Sequence, residues 1–130
     1  MADHDPADDF VEFFEADWPS GIPVGVHASR YTVTCLPIDH FEAHLFSVHV
    51  EYTGRGRWAV RRLKRCYDIN GKPDWESIPS ERTDEWLDRF RFDRDTALAV
   101  ARRVAPTLIV NGTTVPRALA RIAAEAADAG

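Results

Sequence analysis

A chain of 130 residues with 16 Lys and Arg against 21 Asp and Glu carries a net charge of −5, and its 45% apolar content is ordinary for a globular protein. That length suffices for one domain with its own core, and no apolar run approaches the ~20 residues of a membrane-spanning helix. The start of the chain is acidic rather than basic and then apolar, so no signal peptide is read and a soluble, cytoplasmic protein is expected.

The charge is unevenly spread. Residues 1–17 hold seven acids (Asp3, Asp5, Asp8, Asp9, Glu12, Glu15, Asp17) and no Lys or Arg, so the acidity is a property of the arm and the body is weakly basic. Within the arm, Phe10, Phe13 and Phe14 recur at helical spacing and Trp18 extends the stripe, which predicts a short helix over 6–16 ended by Pro19. A helix this short is unstable alone, so its aromatic face must pack on the body or on a partner. We therefore divide the chain into an acidic aromatic arm, 1–18, and a single α+β domain, 19–130.

Residues 19–28 form a connector rich in Pro and Gly. Alternation then predicts strands at about 29–36, 42–53 and 57–68 and a short fourth at Trp75–Ile78, a three- to four-stranded antiparallel meander over about 29–78. Gly54 and Gly56 mark the reversal between the second and third strands, and pairing Tyr52 with Trp58 and Val50 with Val60 matches their apolar faces. Continued without a break, that register sets Arg62 and Lys64 against Val48 and Phe46. Burying two unpaired cations costs several kcal/mol, so we expect either a bulge near Arg61–Arg62 that turns Leu63 inward or an edge where the side chains snorkel out.

Asn70-Gly71 reads as a turn. Ser80 is the expected cap of a helix over 81–90 with Trp86, Leu87 and Phe90 on one face. Asp93 or Asp95 caps a second helix ending before Pro106, with Leu98, Ala101, Val104 and Ala105 inward. Leu108–Val115 reads as a short Asn-Gly hairpin. The last helix begins at Pro116 and is expected to bury Leu119, Ile122, Ala123 and Ala126. Helices packing on a meander make the expected fold class α+β.

Candidate chemistry is sparse. Arg55, Arg57, Arg61, Arg62, Lys64 and Arg65 lie within eleven residues with no acid among them, beside Trp58 and Tyr67, a pattern compatible with phosphate contact and base stacking. Six cations divided between two strand faces do not by themselves make one patch, and cations on edge strands also block aggregation. The acidic arm suits a ligand that lays an apolar face in a groove while its acids meet a basic rim. It could equally cover the chain's own basic strand, or do so between two copies in a homodimer.

His40 and His44 have the i, i+4 spacing of helical metal ligands, but at a strand start four residues span ~13 Å, and His4, His27 and His49 add no ligand spacing. No metal site and no cofactor is expected. Asp39 with Glu42, and Asp84, Glu85 and Asp88, are surface-type acids with no nucleophile beside them, and no phosphate loop or Gly-x-Ser-x-Gly run occurs. Cys35 and Cys66 lack zinc spacing, fall in predicted strands, and are read as small buried hydrophobes.

The runs Glu51–Val60 (EYTGRGRWAV), Ile78–Leu87 (IPSERTDEWL), Phe92–Ala101 (FDRDTALAVA) and Val110–Val115 (VNGTTV) resemble small uncharacterised proteins of actinobacteria and their bacteriophages. The resemblance covers roughly residues 29–122, implies no activity or site residue, and points to a phage or mobile-element accessory protein. The expected function is non-enzymatic. A protein partner would be engaged through Phe10, Phe13, Phe14 and Trp18; the alternative is a nucleic-acid-binding module using the six cations of 55–65.

Overall fold

The computed structural model describes residues 20–129. Five strands form one antiparallel sheet in simple sequential order: β1 (Arg30–Thr34), β2 (Ser47–Gly54), β3 (Arg57–Arg62), β4 (Arg65–Tyr67) and β5 (Pro73–Trp75). Three helices follow, α1 (Asp84–Phe90), α2 (Arg94–Val104) and α3 (Val115–Ala129). Two-residue strands β6 (Ile109–Val110) and β7 (Thr113–Thr114) pair between α2 and α3, with Asn111 and Gly112 both at positive φ in the turn. The α+β class holds. The meander has five strands rather than three or four.

The pairing of Tyr52 with Trp58 and of Val50 with Val60 is as the apolar pattern requires. The predicted 57–68 strand is instead two strands. At Leu63 the backbone turns to φ +56 and the chain doubles back, so that Arg62 pairs with Arg65 and Lys64 never meets Phe46. The register conflict is thus resolved by a hairpin. Leu63 points outward, 86% exposed, rather than into the core.

Other boundaries move for local reasons. Ala43–Phe46 is a 3-10 turn rather than strand, closed by the Ser47 hydroxyl donating to the Ala43 carbonyl. The fourth ladder lies at Pro73–Trp75, because the Asp68 N–H donates to the Lys72 carbonyl and sets the turn two residues earlier. Helix α1 starts at Asp84, capped by Thr83 and not Ser80: the Thr83 hydroxyl accepts from the Trp86 N–H at 3.1 Å. Asp93 caps α2 in the same way through the Thr96 N–H.

The main core lies between one sheet face and α2. Val48, Val50 and Val60 are fully buried there with Val100 and Ala101, joined by Phe46, Tyr67 and Val104. The inward stripe of α2 is Ala97, Val100, Ala101 and Val104, with Leu98 only half-buried. Helix α3 departs further from expectation, burying Val115 and Ala118 and part of Ile122 while Leu119, Ala123 and Ala126 are exposed. Its N-terminal turns rest on the body and the rest runs past it, steadied by Arg121 on Glu42 and by His40 3.5 Å from Glu125.

On the opposite sheet face the alternation places His49, Glu51, Ala59, Arg61 and Cys66. Ala59 and Cys66 are fully buried there, as is Phe90 at the end of α1. Phe92 then pairs with the free edge of β3: the Trp58 N–H donates to the Phe92 carbonyl at 2.7 Å, and the Phe92 N–H to the Trp58 carbonyl at 2.9 Å. This bridge anchors the joint between α1 and α2 on the sheet.

Candidate binding surfaces

The six basic residues read from the sequence part into three groups. Arg55 and Arg57 sit at the β2–β3 turn, Arg61 faces the charged sheet face, and Arg62, Lys64 and Arg65 gather round the β3–β4 turn. Strand alternation separates Arg61 from Arg62, and the hairpin at Leu63 sets Lys64 and Arg65 beside Arg62 rather than Arg61. No single basic strand surface forms. Phe10, Phe13, Phe14 and Trp18 lie outside the described residues.

The first surface is a groove of about 850 Å³ where the core face of the sheet runs beyond α2. Short strands β4 and β5 form one wall and the segment after α2 the other, through Leu108 and Ile109. Tyr67 lies in the floor, while Leu63, Trp75 (63% exposed) and Ile109 leave their apolar faces open. Three cations, Arg62, Lys64 and Arg65, line it with no carboxylate among the lining residues. The Arg65 guanidinium lies over the Trp75 ring, 4.9 Å from its centre. Arg62 donates to the Leu45 carbonyl at 2.8 Å, yet its Nε is buried without a partner. Holding that donor unsatisfied costs about 1–3 kcal/mol.

Leu63 is the informative residue of this groove. An L-residue in the left-handed region costs about 1–2 kcal/mol, and a residue at φ +56 is ordinarily Gly or Asn. Because its side chain is exposed, the return for that strain is the hairpin itself, and the leucine side chain contributes nothing to the core.

The second surface centres on Glu76. Its Oε1 accepts from Arg61 Nε at 2.9 Å and from Arg91 at 3.0 Å, and lies 3.5 Å from Arg82. Arg61 also donates to Glu51 at 3.1 Å, and Arg30 lies 3.6 Å from the other Glu51 oxygen. Arg82 and Arg91 stack on Trp86 at 5.5 and 5.0 Å. Burial acts to raise the Glu76 pKa, but hydrogen bonds and charge from Arg61 and Arg91 outweigh it and hold the carboxyl below the usual range. Arg61, although desolvated, is raised by Glu76 and Glu51. Arg91 is lowered by burial and then by the Arg61 charge, against which Glu76 is insufficient. Glu76, Arg82 and Arg91 as one cluster were missed from the sequence, since they come from three segments and match no motif.

Neither thiol is activated as a nucleophile by its surroundings. Burial and the Glu76 charge push the Cys66 thiol up to about 11, so it stays protonated at neutral pH, and Cys35 is half-buried. His40 accepts the Glu42 N–H through Nδ1 and stacks on Phe41 at 4.7 Å. His49 is held below its ordinary value by burial and by Arg30, 3.4 Å from the Thr32 hydroxyl. Asp68 is also held low: the Lys72 and Asn70 N–H groups and Arg89 outweigh its burial, which marks it as a turn-forming acid. Among the described residues, no three His, Cys, Asp or Glu side chains gather as a metal site needs, and no helix is long and apolar enough to cross a membrane. Comparison with family models, curated proteins and solved structures returns no match to this chain.

Proposed function

We propose that this protein is a non-enzymatic accessory module that captures a polypeptide segment bearing aromatic and acidic side chains in the groove beside β4 and β5. The observation that carries this reading is Leu63, a large apolar side chain held at φ +56 and exposed at the mouth of a groove rimmed by Arg62, Lys64 and Arg65. The turn would accept Gly or Asn with less strain, so an exposed leucine at that position suits a surface kept for a partner. Apolar walls accept an aromatic anchor, and the rim supplies charge complementarity to neighbouring acids. Residues 1–18 of the chain itself have the matching chemistry in Phe10, Phe13, Phe14, Trp18 and seven acids, so the arm is a candidate occupant, in the same molecule or a second copy.

Pull-down from host lysate tests the reading with three proteins: the full chain, a Leu63→Asp/Trp75→Ala variant and a chain lacking residues 1–18. Loss of one specific partner in the double variant supports the groove. Retention there with loss in the truncation moves the contact to the arm and refutes the groove.

Nucleic-acid binding is favoured by one observation, the Arg65 guanidinium stacked on an exposed Trp75 that could also receive a base. It is weakened by Arg61, held by two carboxylates, and by Arg57, paired with Asp88 at 3.6 Å, which leaves no continuous phosphate track. Binding to single strands whose affinity falls steeply with salt would establish this alternative; no binding at low salt would dismiss it.

A further inference from the structure

On the charged face, a second cleft of about 580 Å³ opens between the β2–β3 turn and the segment leading into and through α1. Thr53, Arg55 and Arg57 line one side, and Arg82, Asp84 and Arg91 the other. The geometry points to a binding site for a small phosphoryl anion, held by Arg55, Arg57, Arg82 and Arg91.

The cleft carries more positive than negative charge. Among the described residues, four arginines (Arg55, Arg57, Arg82, Arg91) and Asp84 line the cleft; Asp88 pairs with Arg57 and Glu76 with Arg82 and Arg91, which leaves a local surplus of one positive charge and Arg55 unpaired. Arg91 is only 2% exposed and shares its one carboxylate, Glu76, with Arg61 and Arg82. A buried cation that is not fully compensated is expensive, and an anion in the cleft would supply the missing negative charge. Arginines on both walls, with Arg55 unpaired among the described residues, suit a tetrahedral oxyanion that can accept from several donors better than a planar carboxylate.

The backbone that carries Arg55 and Arg57 is fixed at the turn. Gly54, Arg55 and Gly56 all take positive φ, an unfavoured state for Arg55, which has no ion-pair partner among the described residues. Tyr52 accepts the Gly56 N–H through its hydroxyl at 3.0 Å, and the Thr53 hydroxyl donates to the Arg57 carbonyl at 3.0 Å. On the far wall, Arg82 donates Nε to the Ser77 carbonyl at 2.7 Å, and Trp86 supports both Arg82 and Arg91. Such prior ordering lowers the entropic cost of capturing a ligand.

Calorimetric titration of the full chain with orthophosphate and with pyrophosphate, at ionic strength held constant with chloride, tests the site. Saturable binding is expected, tighter for pyrophosphate, with quenching or enhancement of tryptophan emission through Trp86. An Arg55→Gln/Arg57→Gln variant, altered only at exposed side chains, should lose about tenfold in affinity per guanidinium with its unfolding midpoint unchanged. Arg117→Gln, which removes an exposed cation on α3 outside the cleft, should bind both anions as the parent does. Absence of saturable binding at millimolar anion, or binding undiminished in the double variant, would overturn the assignment.

Discussion

Replacing Glu76 by Gln removes one negative charge while preserving an acceptor oxygen in nearly the same place. Glu76 is 17% exposed and Arg91 2%, so the pair sits largely away from water, while Arg61 retains Glu51 at 3.1 Å. Removing one partner of a buried ion pair costs roughly 3–5 kcal/mol, because the remaining charge is left without compensation. The retained acceptor and the second carboxylate on Arg61 put the expected loss at the low end, about 3 kcal/mol. For a domain of this size that corresponds to a midpoint lower by roughly 12 °C. Urea and thermal unfolding, followed by circular dichroism and tryptophan emission, would measure it. The pH dependence gives an independent check. A carboxyl held below its ordinary pKa contributes stability that is present in full above the ordinary value and lost as pH falls through the folded one. The parent and the variant should therefore differ at neutral pH and converge in acid. A loss under about 1 kcal/mol at neutral pH, or a difference constant into acid, would refute the account of Glu76 as the charge holding three arginines.

Leu63→Asn should raise stability by about 0.5–1 kcal/mol, since Asn tolerates positive φ, and should weaken partner capture in the same protein; a loss of stability would remove the strain argument. Phe90→Ala empties a fully buried site and should cost about 3–5 kcal/mol by chemical denaturation. Gly112→Ala places a methyl group in open space at φ +79, so the cost is torsional alone, about 1–2 kcal/mol, again read from unfolding. Cys66, buried and with its thiol pushed up to about 11, should resist a disulfide reagent at pH 8 until the protein unfolds; rapid modification of both thiols in the native protein would contradict this.

How much could be read from the chain alone differs between its parts. Where one face of a strand is buried, period-two alternation leaves a single acceptable register, which is why the Tyr52–Trp58 and Val50–Val60 pairs were legible. The same pattern exposed the conflict at Arg62 and Lys64, but two local solutions relieve such a conflict and a third, the hairpin, was the one adopted. Turn propensity misled here because Leu63 is a poor left-handed residue. In the helices, periodicity marked their presence better than their rotation about the axis: Ala101, Val104 and Ala105 are buried as expected, Ala97 and Val100 are buried as well while Leu98 is half-buried, and α3 leaves Leu119 exposed. The binding surfaces were least legible. Arg65 and Trp75 belong to paired strands, and Glu76, Arg82 and Arg91 meet only because β5 and α1 return to the sheet.

The linear pattern by itself determined the α+β class, the antiparallel order and the pairing at the sheet's centre, because burial on one face penalises every other register. Tertiary structure decided which cations are free and which are spent on carboxylates. Charge compensation depends on distances of a few ångströms between segments far apart in the chain, and no local spacing encodes them.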